Sequence, residues 1–439
     1  MRNGLTLLVL GGKPIGSCEL VEYAHARGDQ VIVADYLPVE QSPAKLIADD
    51  HWEISTADIE RLAEKCKERK VDGVLTGVHE FNIVMMAKLC MLLDLPCYCT
   101  EEQQLCCIDK KTFKDACSQM GIPVAREYQV DGVSTIRKDQ FPLAVKPKDG
   151  SGSRGFSKCQ TNEEVLPAVK KAREFSASGD VLIEEFIDAD AVIIHYTAHQ
   201  GKIEYSGIAD KHSEKMGDEG SPIMALQIAP SIHEAEYLAE LNSKAIAMLA
   251  SLNITEGPAW IEAFHSQDGF VFNEMGYRFG GSLSYHLVNE LYGIDQLELL
   301  YNHAMGIEAP NFEPLPHKGK LHAIWPLHVR AGTISSLVGF ESLADDERLA
   351  ALVKVHTAGD EIESWGSAQQ VLAYLHITCE SAQNIVNFMQ EALKRLHAFD
   401  QDGNDMLYSL FDPSDTESQK VEYPSFLRQH LQLEQGEVR

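Results

Sequence analysis

Apolar residues come in short blocks over the first hundred positions, and each block is followed by apolar residues at helical spacing. Leu7–Leu10, Val31–Ala34 and Val74–Thr76 have the length of buried strands, and Leu95–Tyr98 reads as a further one. Val84–Leu93 is an almost wholly apolar helix between the last two. Strand–helix alternation of this kind implies a parallel sheet with helices on both faces. Farther on, Val181–Asp190 predicts a strand leaving into a connection. Ser231–Leu252 predicts one helix, with Leu238, Leu241, Ala245, Met248 and Leu249 at helical spacing. Beyond Gly306, Pro310, Pro314 and Pro316 mark a linker; Leu321–Val329 and Gln370–Ile377 read as strands, Ser381–Leu396 as a helix, and the segment after Pro413 as a polar tail.

Two segments carry more than periodicity. In "AWIEAFHSQDGFVFNEM", residues 259–275, the alternation continues on both sides of Gln267-Asp268-Gly269. A three-residue turn there centres a hairpin on residue 268, so Phe264 faces Phe272 and Glu262 faces Glu274. Carboxylates placed directly opposite, with Cβ atoms ~4.5–5.5 Å apart, repel unless a cation lies between them. Magnesium is commonly bound by one or two carboxylates together with phosphate oxygens. In "FPLAVKPKDGSGSRGF", residues 141–156, a β-run delivers Lys146 to a loop holding Gly150, Ser151, Gly152, Ser153 and Gly155. Backbone N–H groups and small hydroxyls of such a loop can wrap phosphate oxygens. The lysine precedes the glycines, so this is not a Walker A loop. Arg278, four residues after Glu274, is suited to hold a transferring phosphate, and Gly280 and Gly281 follow it.

Charge narrows the partners. The chain of 439 residues carries 38 basic and 66 acidic residues, a net −28, which repels nucleic acid and anionic membranes. Against that background Asp109–Lys158 holds a local excess of basic residues, as an anion site would. No apolar run reaches the ~18 residues of a membrane span, and Leu5–Leu10 runs into Gly-Gly-Lys-Pro rather than a cleavage site; the expected location is cytoplasmic. The ten cysteines lack paired Cys-x2-Cys spacing and read as reduced, mostly buried thiols. The opening "LLVLGGKPIGS" imitates a dinucleotide loop, with Asp35 ending the next strand. Lys13 stands where the second glycine of that motif would approach a pyrophosphate, so a tight structural turn is the better reading. His195 and His199 lie on a strand and do not read as a metal pair. His286 either lines a substrate pocket or is structural.

Taken together, these segments resemble the ATP-grasp superfamily, in particular its carboxylate–amine ligases such as L-amino-acid ligases and glycinamide ribonucleotide synthetase, and biotin carboxylase. The resemblance implies an α/β chain in three parts: an N-terminal parallel α/β domain (1–108), a two-lobed α+β ATP-grasp domain (109–306, lid lobe about 118–188) and a small C-terminal β-rich lobe with its tail (307–439). "IDKKTFKDACSQMGIPVA" is similar to the family's Asp-Lys helix, which would put Lys110 on phosphate. Lys146 and the glycine loop match its second phosphate lysine and mobile lid. Glu184, Glu185, Phe186 and Ile187 match its adenine hinge, and Asp190 its ribose-binding acid. Glu262 and Glu274 match its metal ligands, for Mg2+ or Mn2+, and Arg278 its catalytic arginine. Gly276 departs from the asparagine many members carry there, so a third metal contact is either missing or supplied by the adjacent Asn273. The implied activity is ATP-dependent activation of a carboxylate as an acyl phosphate, followed by attack of an amine, with ADP and phosphate as products. Lys146 and Arg278 would be catalytic, and Arg278, Gly280, Gly281 and His286 would face the substrates. The expected partners are small carboxylates and amines, with a homodimer as the candidate assembly. An NAD-dependent oxidoreductase and an inactive nucleotide-binding regulator are the alternatives.

Overall fold

The computed structural model describes residues 4–129, 136–149, 155–215, 222–315, 317, 319–363, 366–414 and 423–435. The N-terminal strands Thr6–Leu10, Gln30–Asp35, Asp50–Glu53 and Gly73–Thr76 form a parallel sheet in which Thr6–Leu10 lies between Gln30–Asp35 and Gly73–Thr76. Leu7–Leu10 and Val31–Ala34 are buried because helices cover both faces, which is why their sequences are unbroken apolar runs. Leu95–Tyr98 is not a strand. Helix Glu80–Leu93 stops at Asp94 in a left-handed conformation (φ 56°), and Pro96 has no N–H to give a ladder. The segment instead lays Tyr98 against Tyr277, whose carbonyl accepts from the Tyr98 hydroxyl (3.2 Å).

The opening glycines are structural. Gly11 has φ +80°, and the space a Cβ would need is filled by Asn82 and Pro14. Asp35 is 4% exposed and fully engaged. Its carboxylate accepts from Gly12 N–H and Ser42 Oγ (2.7 Å each) and pairs with buried Lys45 (2.7 Å). An acid committed in this way is not free to hold a ribose, so the dinucleotide alternative loses its acidic residue.

Among the described residues, the largest sheet has nine strands and is antiparallel wherever its pairs are assigned. It runs from Gly269–Gly276 through Gly257–Ser266, Asp190–His199, Lys202–Lys215, Pro222–Ala229, Leu321–Val329 and Val371–Cys379 to Leu349–Lys354, and the ninth strand, Leu407–Tyr408, pairs with Leu321–Val329 off this path. The sheet crosses the proline-rich linker, since Gln227 pairs with Ile324. Residues after 306 therefore extend the same sheet, and Leu321–Val329 is buried along its whole length. The expected helix at 231–252 is broken at Leu241 (φ −124°) into Glu234–Glu240 and Asn242–Ser251. At the break Asn242 accepts from the buried Tyr196 hydroxyl (3.0 Å), a tertiary contact that periodicity cannot register. A four-stranded antiparallel sheet (Glu127–Tyr128, Val181–Glu185, Leu143–Pro147, Ser157–Cys159) packs on helix Asn162–Glu174 around Leu143, Val145, Val165, Val169 and Ile183. All ten cysteines are free thiols. No described helix is long and apolar enough to cross a membrane.

Candidate functional site

The hairpin reaches the expected glutamate pairing by an unexpected route. Its turn has two residues, with Ser266 opposite Gly269 (φ +94°), so Phe264 pairs with Val271 and Ala263 with Phe272. The expected Phe264–Phe272 pair is not formed. A bulge then inserts Asn273 as an extra residue, and Glu262 falls opposite Glu274. The shorter turn and the added residue cancel. The bulge also brings Asn273 into the site: its Nδ2 donates to Glu262 Oε1 (2.8 Å) and its Oδ1 accepts from Lys146 Nζ (2.9 Å).

Lysines surround these acids. Lys211 pairs with Glu262, and Lys110 Nζ lies 3.6 Å from Glu274 Oε2. Burial pulls the Glu262 carboxyl upward, but the Lys211 ammonium, the Asn273 amide and Lys146 outweigh it, and the group is held below its usual range. Lys211 loses affinity for its proton through burial and regains more from Glu262 and Glu274. Lys146 Nζ is also 2.8 Å from Glu184 Oε2, and Lys114 pairs with the other oxygen. Glu184 is 2% exposed; burial raises its carboxyl, and Lys146 and Lys114 together lower it further. Lys114 is held below the usual lysine range by burial first and by Lys146 next, against the pull of Glu184. The Glu184 carboxylate therefore positions two lysines.

All of these groups but Lys114 line a cavity of about 500 Å³ between the four-stranded sheet and the large one. Lys110, Lys146, Glu184–Ile187, Asp190, Glu262, Asn273 and Glu274 lie on its wall, with Ala144, Phe156, Met224, Phe264 and Phe272 as apolar surface. Its size and its apolar wall with convergent polar groups suit a ligand of nucleotide size. At the hinge, Phe186 lies beneath the Lys158 ammonium, 3.9 Å from the ring centroid. Glu185 Oε1 accepts from Arg126 N–H (2.9 Å), and Asp190 Oδ2 accepts from Ser425 Oγ (2.7 Å). Two carboxylates with an amide oxygen beside them are hard oxygen donors of the kind magnesium takes.

Arg278, Gly155, Gly280, Gly281 and His286 are not among the residues that line this cavity. Arg278 donates to Glu80 (2.9 Å) and to the Phe279 carbonyl (2.9 Å), and its guanidinium lies 5.2 Å from the Trp260 ring centroid. His286 lies 5.0 Å from His376 between ring centroids, and burial pushes it down to about 4. His376 in turn contacts His322 (3.0 Å) and the Ser282 carbonyl (2.8 Å), so His286 belongs to a buried histidine cluster under the loop that carries Gly280 and Gly281. Gly155 is buried, with φ +77°, and a Cβ there would press on Pro147 and Phe175, a packing reason for glycine. Gly150, Ser151, Gly152 and Ser153 lie outside the described residues. Gly276 is explained by its cross-strand partner Trp260, whose indole lies 2.5 Å from where a Cβ would be. An asparagine would not fit beside that ring.

Lys114 and Lys211 are absent from the sequence reading. Lys114 lies one helical turn from Lys110 beside buried Phe113 and Cys117, and that i,i+4 spacing was a usable signal. Lys211 is an ordinary strand residue until Glu262 is placed beside it.

Residues 139–286 match the ATP-grasp domain family. The hairpin, Lys146 and residues 184–187 all lie within the matched stretch. Curated relatives include formate-dependent phosphoribosylglycinamide formyltransferase of Methanocella arvoryzae, 24% identical over 46% of this chain and 49% of that protein. D-alanine–D-alanine ligase of Haemophilus ducreyi is 32% identical over 30% of this chain and 46% of that protein. The chain thus spans about half the length of the curated relatives it matches. The fold is similar to an L-amino acid ligase from Bacillus licheniformis (TM-score 0.70, 20% identity, 91% of this chain and 100% of that one). It is also similar to biotin carboxylase from Campylobacter jejuni (TM-score 0.76, 14% identity, 97% and 98%).

Proposed function

We propose that the protein is an ATP-dependent carboxylate–amine ligase. The observation that carries this reading is the pairing of Glu262 with Glu274, with Asn273 and Lys146 joined at the same wall of a nucleotide-sized cavity. Glu262 and Glu274 would hold Mg2+, or Mn2+ in its place, with Asn273 as neighbour; bound there, the ion neutralises charge on the outer phosphates. Lys110 and Lys146 would face the phosphates, residues 184–187 the adenine and Asp190 the ribose. Gly150, Ser151, Gly152 and Ser153, outside the described residues, are part of the same proposal as phosphate contacts. The domain division at 108 and 306 is part of the same proposal.

In the proposed reaction a substrate carboxylate oxygen attacks the terminal phosphorus, and the bond to ADP breaks. An amine nitrogen then attacks the acyl carbon of the acyl phosphate, phosphate leaves and the nitrogen gives up a proton. No covalent enzyme nucleophile is required; the protein positions reactants and stabilises charge. Arg278 is proposed to stay with the phosphoryl group, which requires it to exchange Glu80 for substrate. The small-molecule carboxylate and amine follow from the class of chemistry alone. Phosphate release from Mg-ATP across a panel of amino acids, singly and in pairs, is the test. Release of AMP in place of ADP, or binding of NADH in place of ATP, would refute the reading.

A further inference from the structure

A second metal-type constellation lies away from the nucleotide cavity. His265 is on strand Gly257–Ser266; His233 immediately precedes helix Glu234–Glu240, and Glu236 is on that helix's first turn. His265 Nε2 lies 3.1 and 3.0 Å from the two Glu236 oxygens. The His233 and His265 rings stack with centroids 3.7 Å apart, and one ligand atom from each of the three residues lies within 4.8 Å of the others. The backbone of His233 is fixed by Ser231 Oγ, which accepts its N–H (2.9 Å) and donates to buried Asp210 (2.6 Å). Phe270 stands edge-on to the His265 ring at 4.6 Å and gives the cluster an apolar wall. Alternation along the strand separates this cluster from the cavity: Phe264 lines the cavity, and the next residue, His265, faces the other side of the sheet.

We propose that His233, Glu236 and His265 form a site for a zinc-class divalent cation. Two nitrogens and one carboxylate, with coordination positions left for water, are the donor set of a three-ligand zinc site, whereas magnesium prefers oxygen alone. The ion would tie the helix to the hairpin that carries Glu262 and Glu274, from the reverse face, and so stiffen it.

The test uses the tag-free full chain, stripped with chelator and titrated with Zn2+ in excess Mg2+, with Co2+ as a visible-absorption probe. One Zn2+ per chain is expected, with a rise in melting temperature on binding. Both His265→Asn and Glu236→Gln should weaken binding at least ~10-fold and abolish the rise, since even outer partners of a metal site are worth that much. Glu274→Gln should leave Zn2+ binding unchanged, which separates this site from the proposed magnesium site. If His265→Asn does not fold, the more exposed Glu236→Gln decides. Absence of stoichiometric binding, or binding equal to the parent in a folded Glu236→Gln variant, overturns the proposal.

Discussion

Glu184→Gln tests the lysine–carboxylate cluster most directly. The carboxylate is 2% exposed and bridges Lys114, itself buried, and Lys146. The amide keeps the volume but leaves two neighbouring cations without their countercharge. Removing one partner of a buried ion pair costs about 3–5 kcal/mol. The penalty has a ceiling, because Lys114 can shed its proton; from an ordinary lysine pKa this costs about 4–5 kcal/mol at pH 7. The two limits agree. At 1.36 kcal/mol per decade, protection of the amides in strands Leu143–Pro147 and Val181–Glu185 against hydrogen exchange should fall by roughly two to three and a half powers of ten. The effect should also depend on pH. Lys114 is already held below the usual lysine range, so the folded chain binds fewer protons than the unfolded one within that window, and stability rises with pH there. Losing Glu184 lowers the group further and widens the window. The variant's deficit should therefore be largest near neutrality and shrink as the pH approaches that of an unfolded lysine. Local exchange in the variant within threefold of the parent at pH 7, or a deficit that grows with pH, would refute the argument.

Glu274→Gln is expected to abolish ATP turnover with the fold intact by circular dichroism, and EDTA should do the same to the parent; turnover that persists in EDTA would remove the case for a metal at the hairpin. Arg278→Ala should still bind ATP in a calorimeter yet give no hydroxamate when hydroxylamine is added with ATP and the carboxylic acid substrate, and undiminished hydroxamate would take Arg278 out of the reaction. Gly276→Ala forces a Cβ onto Trp260 and should cost about 1–3 kcal/mol in urea unfolding, with a shift in tryptophan emission; a neutral result would mean the strands separate more readily than their packing indicates.

Much of the framework was written in local pattern. Leu7–Leu10, Val31–Ala34 and Leu321–Val329 are strands because a segment buried on both faces must be apolar throughout, and that requirement shows in one dimension. Glu262 and Glu274 could be placed opposite each other because a hairpin is a local structure with a countable register, although the turn was one residue shorter than expected and the bulge restored the count. Lys146 was legible as a charge at a strand end. What the sequence by itself could not determine depends on residues distant along the chain. Lys114 and Lys146 share Glu184 across separations of 70 and 38 residues, and Lys211 reaches Glu262 across 51. Arg278 is held by Glu80 from the N-terminal region, 198 residues away. Asp35, which looked free for a ribose, is taken up by Gly12, Ser42 and Lys45. Trp260 fills the space that an asparagine at 276 would need. Hydrophobic periodicity records which side of an element is buried; which charges then neutralise one another is decided only when separate elements close on a shared cavity, where burial makes an unpaired charge too costly to leave.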